Sequence, residues 1–387
     1  MSRLRRDTGA MSTLTWLAAV YCGGTVLLHL TSIAIAARRC RPLGRVIADP
    51  GAPGVSVVRP VCGIDNHVEE TLRSSFRLDY PDYEILFCVA AARDPVVPLV
   101  ERLMRDFPGR ARLLIGDDRV SENPKLNNVV KGWRAAKHPW IVIADSNVLM
   151  PPDYIQRLVA TWRRDTGVVC APPIGCRPDG FWAELECAFL NTYQARWQYL
   201  ADTLGAGFAQ GKTMLWRRAV LNHAGGVEAL ARELAEDAAA TKVVDAQGLR
   251  VRLVDAPFGQ PLGYRRADEV WNRQVRWAQL RRASFPVCYF PELLTGAPLP
   301  LLACWLVAAS ADIPPAAAVL ALAALWYGGE AALAHAARWH LSALSPLAFL
   351  LRDLLLPVLW VNGWRRQFVW RGNAMRAGSL SPFSSAR

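Results

Sequence analysis

Residues 140–147 read WIVIADSN, from Trp140 through Ile141, Val142, Ile143 and Ala144 to Asp145, Ser146 and Asn147. Five apolar residues, three of them β-branched, are too few for an ordinary helix and too apolar for a surface strand. They read as a strand buried on both faces, the pattern of a parallel sheet. Asp145 then falls at the carboxyl end of that strand, the edge at which open α/β sheets bind ligands. A carboxylate there suits a hard cation or a nucleoside; the plainer reading is a turn or helix-capping Asp.

Working outward, further strands are expected at Val55–Val58, Tyr83–Val89, Ala111–Ile115, Val168–Ala171, Lys212–Trp216 and Val251–Val254. Between them lie amphipathic stretches at 66–77, 96–106, 125–136, 153–164, 181–198, 229–246 and 268–284. The alternation predicts βαβ units and an α/β domain with a mostly parallel sheet. Asp94 follows the strand 83–89, with Pro95 beside it. Glu236-Asp237 is expected inside the helix 229–246. Arg273-Gln274-Val275-Arg276-Trp277 lies in a helix holding six Arg (265, 266, 273, 276, 281, 282). Arg273 and Arg276 share a face at i, i+3. Two guanidinium groups and an indole can clamp a diphosphate, or the helix can rest on lipid headgroups. Gly205 to Thr213 imitates a phosphate-binding loop, but position 206, where that pattern needs Gly, is Ala, and an extended run follows.

The ends of the chain are apolar. Residues 13–37 contain no Asp, Glu, Lys or Arg. At 1.5 Å per residue they span about 37 Å, enough to cross the hydrocarbon. Arg38, Arg39, Arg41 and Arg45 follow, against Arg3, Arg5 and Arg6 before, which favours a cytoplasmic side for what comes next. Residues 293–334 read as a transmembrane hairpin broken at Asp312 and Pro314-Pro315. Residues 343–362 carry Arg352 and Asp353 in mid-segment, a costly pair in lipid. That stretch is a packed transmembrane helix with an internal ion pair, or an interfacial helix. The interfacial arrangement returns the basic tail 363–387 to the cytoplasm after one span and a hairpin. Between these parts, 38–292 forms the large domain, including an interfacial Arg-rich helix at 265–284.

Composition agrees. The formal net charge is +12 and the mean hydropathy +0.13, with 52% hydrophobic residues. That excludes disorder and a small disulfide scaffold. Forty Arg against five Lys, with abundant Ala, point to a GC-rich bacterial genome. The basic residues are scattered and not interleaved with aromatics, so no nucleic-acid partner is expected, and no protein partner. Nine Cys without a C-x-x-C pair read as buried thiols in a reducing compartment.

Taken in order, Asp94, Asn123-Pro124-Lys125-Leu126-Asn127-Asn128, Asp145-Ser146, Glu236-Asp237 and Arg273-x-x-Arg276-Trp277 resemble the ceramide glucosyltransferases, membrane-bound enzymes of GT-A fold. The block Asp79-Tyr80-Pro81-x-Tyr83-Glu84 and the membrane layout look similar too, over about residues 54–295. The resemblance implies roles. Asp94 would meet the uracil or ribose of a UDP-sugar, Lys125 would line the donor site, and Asp145 would hold a divalent cation, Mg2+ or Mn2+, at the diphosphate. Arg273, Arg276 and Trp277 would hold the diphosphate and the acceptor channel, and Asp237 would be the general base of an inverting transfer. Two departures stand out. Asn147 replaces a second carboxylate and offers at best a neutral amide oxygen to the cation. Gln194 stands where animal members carry a His, so no group titrating near neutrality acts there.

The function implied is transfer of glucose from UDP-glucose to ceramide at the cytoplasmic face of a bacterial inner membrane. The motifs are shared with enzymes that place an amino sugar from UDP-N-acetylglucosamine on a hopanoid polyol. Galactose or glucuronate onto ceramide is a further variant. A polysaccharide synthase would need more spanning helices, and a non-catalytic membrane adaptor would not depend on the three aspartates.

Overall fold

A computed structural model describes residues 12–365, 367–370 and 373–376. Arg3, Arg5, Arg6 and much of the basic tail lie outside the described residues. Nine strands build the large domain: β1 (Val55–Pro60), β2 (Tyr83–Val89), β3 (Ala111–Ile115), β4 (Trp140–Ala144), β5 (Thr166–Cys170), β6 (Ile174–Asp179), β7 (Thr213–Arg217), β8 (Arg250–Leu253) and β9 (Gly259–Tyr264). Seven form one sheet in the order β3-β2-β1-β4-β7-β5-β8. Only β7 runs antiparallel to its neighbours, so the sheet is mostly parallel, as the alternation implied.

Helices α1 (Thr13–Arg39), α2 (Val68–Ser74), α3 (Val97–Asp106), α4 (Pro124–Ala135) and α5 (Tyr154–Thr161) come first. Then follow α6 (Phe181–Ala188), α7 (Arg196–Thr203), α8 (Arg218–His223), α9 (Glu236–Ala246), α10 (Ala267–Ser284) and α11 (Pro286–Tyr289). The last are α12 (Pro298–Ser310), α13 (Pro315–Ala336) and α14 (Ser345–Asn362). The sheet separates two apolar cores. One joins Val57, Ile85 and Val142 to α2, α3 and α5. The other joins Val58, Leu86 and Ile143 to α4 and α9, and continues into Ile33, Ala36 and Leu333 of the apolar helices.

Three features differ from the sequence reading. A second, two-stranded sheet pairs β6 with β9 in parallel. Pro178, Pro261 and two Gly in β9 break the strand pattern locally, so only the pairing makes these segments extended. The helix expected over 181–198 runs from 181 to 203, with a π-helical segment at Phe189–Ala195. Within it the buried Asn191 amide bridges both backbone groups of Gly175 on β6, at 2.8 and 3.0 Å. Finally, the helix expected over 229–246 is two pieces. A 3-10 turn ends at Arg232, Glu233 is extended, and α9 begins at Glu236. Asn123 donates to the Leu234 carbonyl (3.2 Å), and Lys242 and Ser284 donate to Glu233 (2.5 and 3.1 Å). These long-range bonds hold the break, and Glu236-Asp237 therefore opens a helix instead of sitting inside one.

By length and composition α1, α13 and α14 can each cross a membrane. The first arm of the expected hairpin starts earlier than residue 293 and is bent. Pro286–Leu294 and Pro298–Ser310 meet at 45°. Asp353 of α14 holds that bend, accepting from the Ala297 N–H at 3.0 Å, and Arg352 Nε donates to its other oxygen at 2.8 Å. The Arg352 guanidinium also reaches both oxygens of Glu330 on α13, at 2.8 and 3.0 Å. Glu330 takes the Thr192 hydroxyl of the π segment (2.9 Å) and lies 3.8 Å from Arg196, which donates to Ser32 of α1. Arg352, Glu330 and Asp353 are at most 1% exposed. The charges flagged in the sequence thus face each other inside the protein. Removing one partner of a buried pair leaves an uncompensated charge. Arg352→Met should therefore cost about 3–5 kcal/mol, read as a lowered thermal midpoint of the full chain in detergent. An unchanged midpoint would deny the network a structural role.

Candidate active site

The site forms where β1, β2 and β4 end and β7 begins. Its floor is Arg59, at the end of β1 and fully buried. The guanidinium donates to the carbonyls of Asp145 (2.8 Å), Ser146 (3.0 Å) and Val148 (3.1 Å), which fixes the loop after β4. Burial pulls the Arg59 pKa down to about 10, with Tyr154 and Asp145 opposing it. Because β7 is antiparallel to β4, the residue before β7 lies beside the residue after β4. The Asp145 N–H donates to the Lys212 carbonyl at 3.0 Å.

Side chains then build a lattice of alternating charge. Lys212 Nζ donates to Asp145 Oδ2 at 2.8 Å and to Asn147 Oδ1 at 3.3 Å. Lys125 Nζ lies 2.6 Å from Asp145 Oδ1 and 2.6 Å from Glu236 Oε1, and donates to the Gly211 carbonyl at 2.5 Å. Lys125 is delivered by a helix start legible in the sequence. Asn123 caps α4, its Oδ1 accepting the N–H groups of Lys125 and Leu126, with Pro124 at the first helical position. The other end of the Asn123 amide donates to Glu236 Oε2 at 2.7 Å, which locks the starts of α4 and α9 together. Burial works against the charge on Asp145, but Lys125 and Lys212 outweigh it and hold the carboxyl well below the usual range. Burial also works against the Lys125 charge, and Asp145 and Glu236 outweigh it. Lys212 is pulled down, first by burial, then by Arg273 and Lys125, with Asp145 opposing.

Asp237 stands in the first turn of α9, beside this lattice but without a lysine of its own among the described contacts. It accepts the Gly211 N–H at 3.1 Å. Burial raises its carboxyl above the normal aspartate range, and the neighbouring Glu236 charge adds to that; Lys125 and two backbone N–H groups pull the other way. A Cβ on residue 211 would lie 2.7 Å from Glu236 Oε1 and 3.3 Å from Asp237 Oδ2, so a larger residue there would push the carboxylate tips of the site aside.

The remaining sequence candidates surround this centre. Asp94 accepts the Gly63 N–H at 2.9 Å and the Val96 N–H at 2.9 Å, so it ties together the loops leaving β1 and β2. Arg273 on α10 pairs with Glu186, a fully buried carboxylate of α6, while its charge reaches Lys212 and Asp65. Trp277 packs against Ala183, Cys187, Leu190 and Leu262. Arg276, one helical turn from Arg273, is half-buried. The lattice thus gathers Lys125, Asp145, Asn147 and Asp237, with Arg273 at its edge. Residues that sequence reasoning passed over are Arg59, Lys212, Glu186 and the pairing role of Glu236. In the sequence Lys212 reads as the start of a strand beside an imitated phosphate loop, and nothing local marks it as the partner of Asp145.

Among the described residues no three His, Cys, Asp or Glu side chains converge as a metal site. The oxygens of Asp145 and Asn147 do converge, on the Lys212 ammonium. These two hard oxygen donors are the ones that could hold a divalent ion, with other ligands from phosphate and water, once the Lys212 ammonium moves off them.

The sequence profile of glycosyl transferase family 21 matches residues 24–380. Ceramide glucosyltransferase 1 of Caenorhabditis elegans is 29% identical over 289 residues, covering 74% of this chain and 62% of the relative. Ceramide glucosyltransferase 3 of the same organism is 25% identical over 376 residues, 95% of this chain and 81% of the relative. In fold the chain is similar to a mannosyltransferase of Pyrobaculum calidifontis solved with GDP-Man and Mn2+. There the TM-score is 0.51 at 19% identity, covering 88% of this chain and 98% of that one. A mostly parallel sheet with a charged lattice at its strand ends, apolar helices at both ends of the chain, and a profile match over nearly its whole length lead to one conclusion: the chain belongs to glycosyl transferase family 21.

Proposed function

We propose that this protein transfers glucose from UDP-glucose to the primary hydroxyl of ceramide, with inversion, at the cytoplasmic face of a bacterial inner membrane. The single observation that carries the chemistry is the unequal treatment of neighbouring carboxylates. Asp145 and Glu236 are neutralised by Lys125 and Lys212, while the half-buried Asp237 has no lysine partner among the described contacts and a raised pKa. A carboxylate kept basic beside a cationic pocket suits a general base next to a leaving diphosphate. The names of the two nematode relatives support ceramide as acceptor, and the apolar helices support a lipid one.

In this reading the acceptor O–H gives its proton to Asp237 as the oxygen attacks the anomeric carbon. The bond from that carbon to the diphosphate oxygen breaks on the opposite side, and UDP departs with the electron pair. Lys212, Arg273 and Arg276 offset the charge that develops, and Lys125 keeps Asp145 and Glu236 in place. Asp94 meets the nucleoside end, and Trp277 borders the diphosphate and acceptor channel. A divalent cation held by Asp145 and Asn147 would supply further positive charge at the diphosphate. A sugar without charge needs hydrogen bonds only; the cations belong to the leaving group.

Labelled UDP-glucose and ceramide, supplied to membranes containing the protein, test the activity. Asp237→Asn should lower turnover by about 10²–10⁴-fold while UDP still binds; undiminished product would remove Asp237 as base. No product from UDP-glucose, but product from UDP-N-acetylglucosamine with a polyol lipid, would move the assignment to the hopanoid class. The acid limb of kcat/KM should lie above the ordinary aspartate range of about 3.9, because the base form of a group with a raised pKa fills only at higher pH. Glu236→Gln removes a like charge, lowers the Asp237 pKa and should move that limb to lower pH; a limb that stays put would reject the coupling. Chelation of divalent ions should weaken UDP binding in a calorimetric titration, with Mn2+ or Mg2+ restoring it. Binding indifferent to both would remove the cation.

A further inference from the structure

Glu186 is one buried charge with two arginines beside it. It lies on α6, fully buried, and its Oε1 accepts from Arg273 of α10. Its Oε2 has no hydrogen-bond partner among the described residues. Arg265, just ahead of α10 and 7% exposed, holds its Nε 3.8 Å from that oxygen, and this N–H also lacks a partner among the described residues. An unpaired donor thus faces an unpaired acceptor, and the gap exceeds a charge-assisted hydrogen bond by only about 1 Å. Each orphaned buried group is costly, and one short movement of Arg265 removes both costs at once.

The other contacts of the two arginines allow such a movement. Arg265 Nη1 donates to Asp65 Oδ1 at 3.1 Å, and the Asp65 side chain is 35% exposed, so water can take over part of that contact. The loop carrying Asp65 is held by other bonds. Asn66 Nδ2 donates to the carbonyls of Leu262 (2.8 Å) and Tyr264 (2.7 Å), and the Gly63 N–H donates to Asp94 (2.9 Å). Arg273 acts on Lys212 as a like charge and helps pull its pKa down. An anion beside both cations offsets that repulsion, and a diphosphate is such an anion. Glu186 is what restrains Arg273. An arginine that turned away would strand a fully buried carboxylate, which is strongly unfavourable. Arg265 lies where it can prevent that.

We propose that Glu186 is a positioning residue that exchanges arginines: as Arg273 turns to the diphosphate of the nucleotide, Arg265 closes onto Glu186 and keeps the buried carboxylate paired. Glu186 faces one bonded guanidinium before the exchange and one after it, so Arg273 reaches the leaving group without an uncompensated charge in the core. Departure of UDP reverses the movement, because Glu186 then draws Arg273 back. Arg265 and Glu186 act only through Arg273. The inference rests on the proposed role of Arg273 at the diphosphate, but its test needs no sugar transfer.

UDP is titrated calorimetrically, at fixed Mn2+, into the full-length protein in detergent as wild type, Arg265→Met, Glu186→Gln and the double variant. Arg265→Met should weaken UDP binding about 10- to 100-fold, the worth of one charge-assisted hydrogen bond, because release of Arg273 then strands Glu186. Glu186→Gln should bind UDP at least as tightly as wild type, since no charge is left to strand. In that background Arg265→Met should change the affinity by less than about 3-fold. Equal losses from Arg265→Met with and without the Glu186 charge would make Arg265 a plain cation near the diphosphate and overturn the exchange. Asp65→Asn leaves Arg265 free to close on Glu186 and should not weaken UDP. A loss matching that of Arg265→Met would trace the effect to the Asp65 loop and overturn the exchange as well. Arg265→Lys keeps a cation for Glu186 and should recover most of the affinity. A folded Arg265→Lys chain with the Glu186→Gln affinity reduced by the full factor would reject the proposal even if Arg265→Met does not fold. A protein with the predicted pattern that transfers no sugar to ceramide keeps the exchange and rejects the proposed reaction; one that transfers sugar with additive effects rejects the exchange alone.

Discussion

Two ammonium groups stand among three carboxylates at the strand ends, Glu236 buried and Asp145 and Asp237 half-buried, and the site depends on that shortfall. A carboxylate drawn out of water is expensive unless paired, so Lys125, which bridges Asp145 and Glu236, and Lys212, which caps Asp145 from the other side, offset that cost. The third carboxyl, Asp237, receives backbone N–H groups instead, and burial pushes its pKa up. One arrangement therefore yields a cationic pocket and a basic carboxylate side by side. Each element around it serves that placement. Arg59 fixes the loop of Asp145, Asn123 fixes the entry of α4 against α9, and the Gly211 backbone meets both Lys125 and Asp237.

The same physics recurs at the apolar helices. Arg352 lies between Glu330 and Asp353, and the network reaches Thr192, Arg196 and Ser32, so α1, α13, α14 and the π segment converge on charges that lipid would reject. The π segment joins this network to the large domain, because Asn191 is bound to β6. Helix α10 makes the second connection. Its arginine face meets the lattice and its glutamine face meets α14.

Much of this was legible in the sequence because it is local. WIVIA can be little but a buried strand, and the strand boundaries at 83–89, 111–115 and 140–144 agree to the residue. Asn123-Pro124 is a helix start by the chemistry of its side chain and ring, and the structure has it as one. Less was legible where a contact between distant segments decides. The break at Glu233 is held by Lys242 and Ser284, and an apolar periodicity that runs through it reads as one helix. The strands β6 and β9 have no strand pattern of their own and exist by pairing. Arg59 falls just past the expected strand Val55–Val58 with nothing to mark it, and Glu186 reads as one of two acids on an amphipathic helix.

The sequence by itself determined the class of protein. Hydrophobic period and length set an α/β domain flanked by apolar helices, and residue types at strand ends set where its charged chemistry lies. Tertiary structure alone decided which charges compensate which. An antiparallel β7 beside β4 sets Lys212 on Asp145, a helix broken at Glu233 puts Asp237 at a helix start, and α6 brings Glu186 to Arg273. The physical reason is range. Backbone propensity and side-chain period act over a few residues and are written along the chain. A Coulomb interaction acts over a few ångströms between groups whose sequence separation it does not depend on, and so it exists only once the chain has folded.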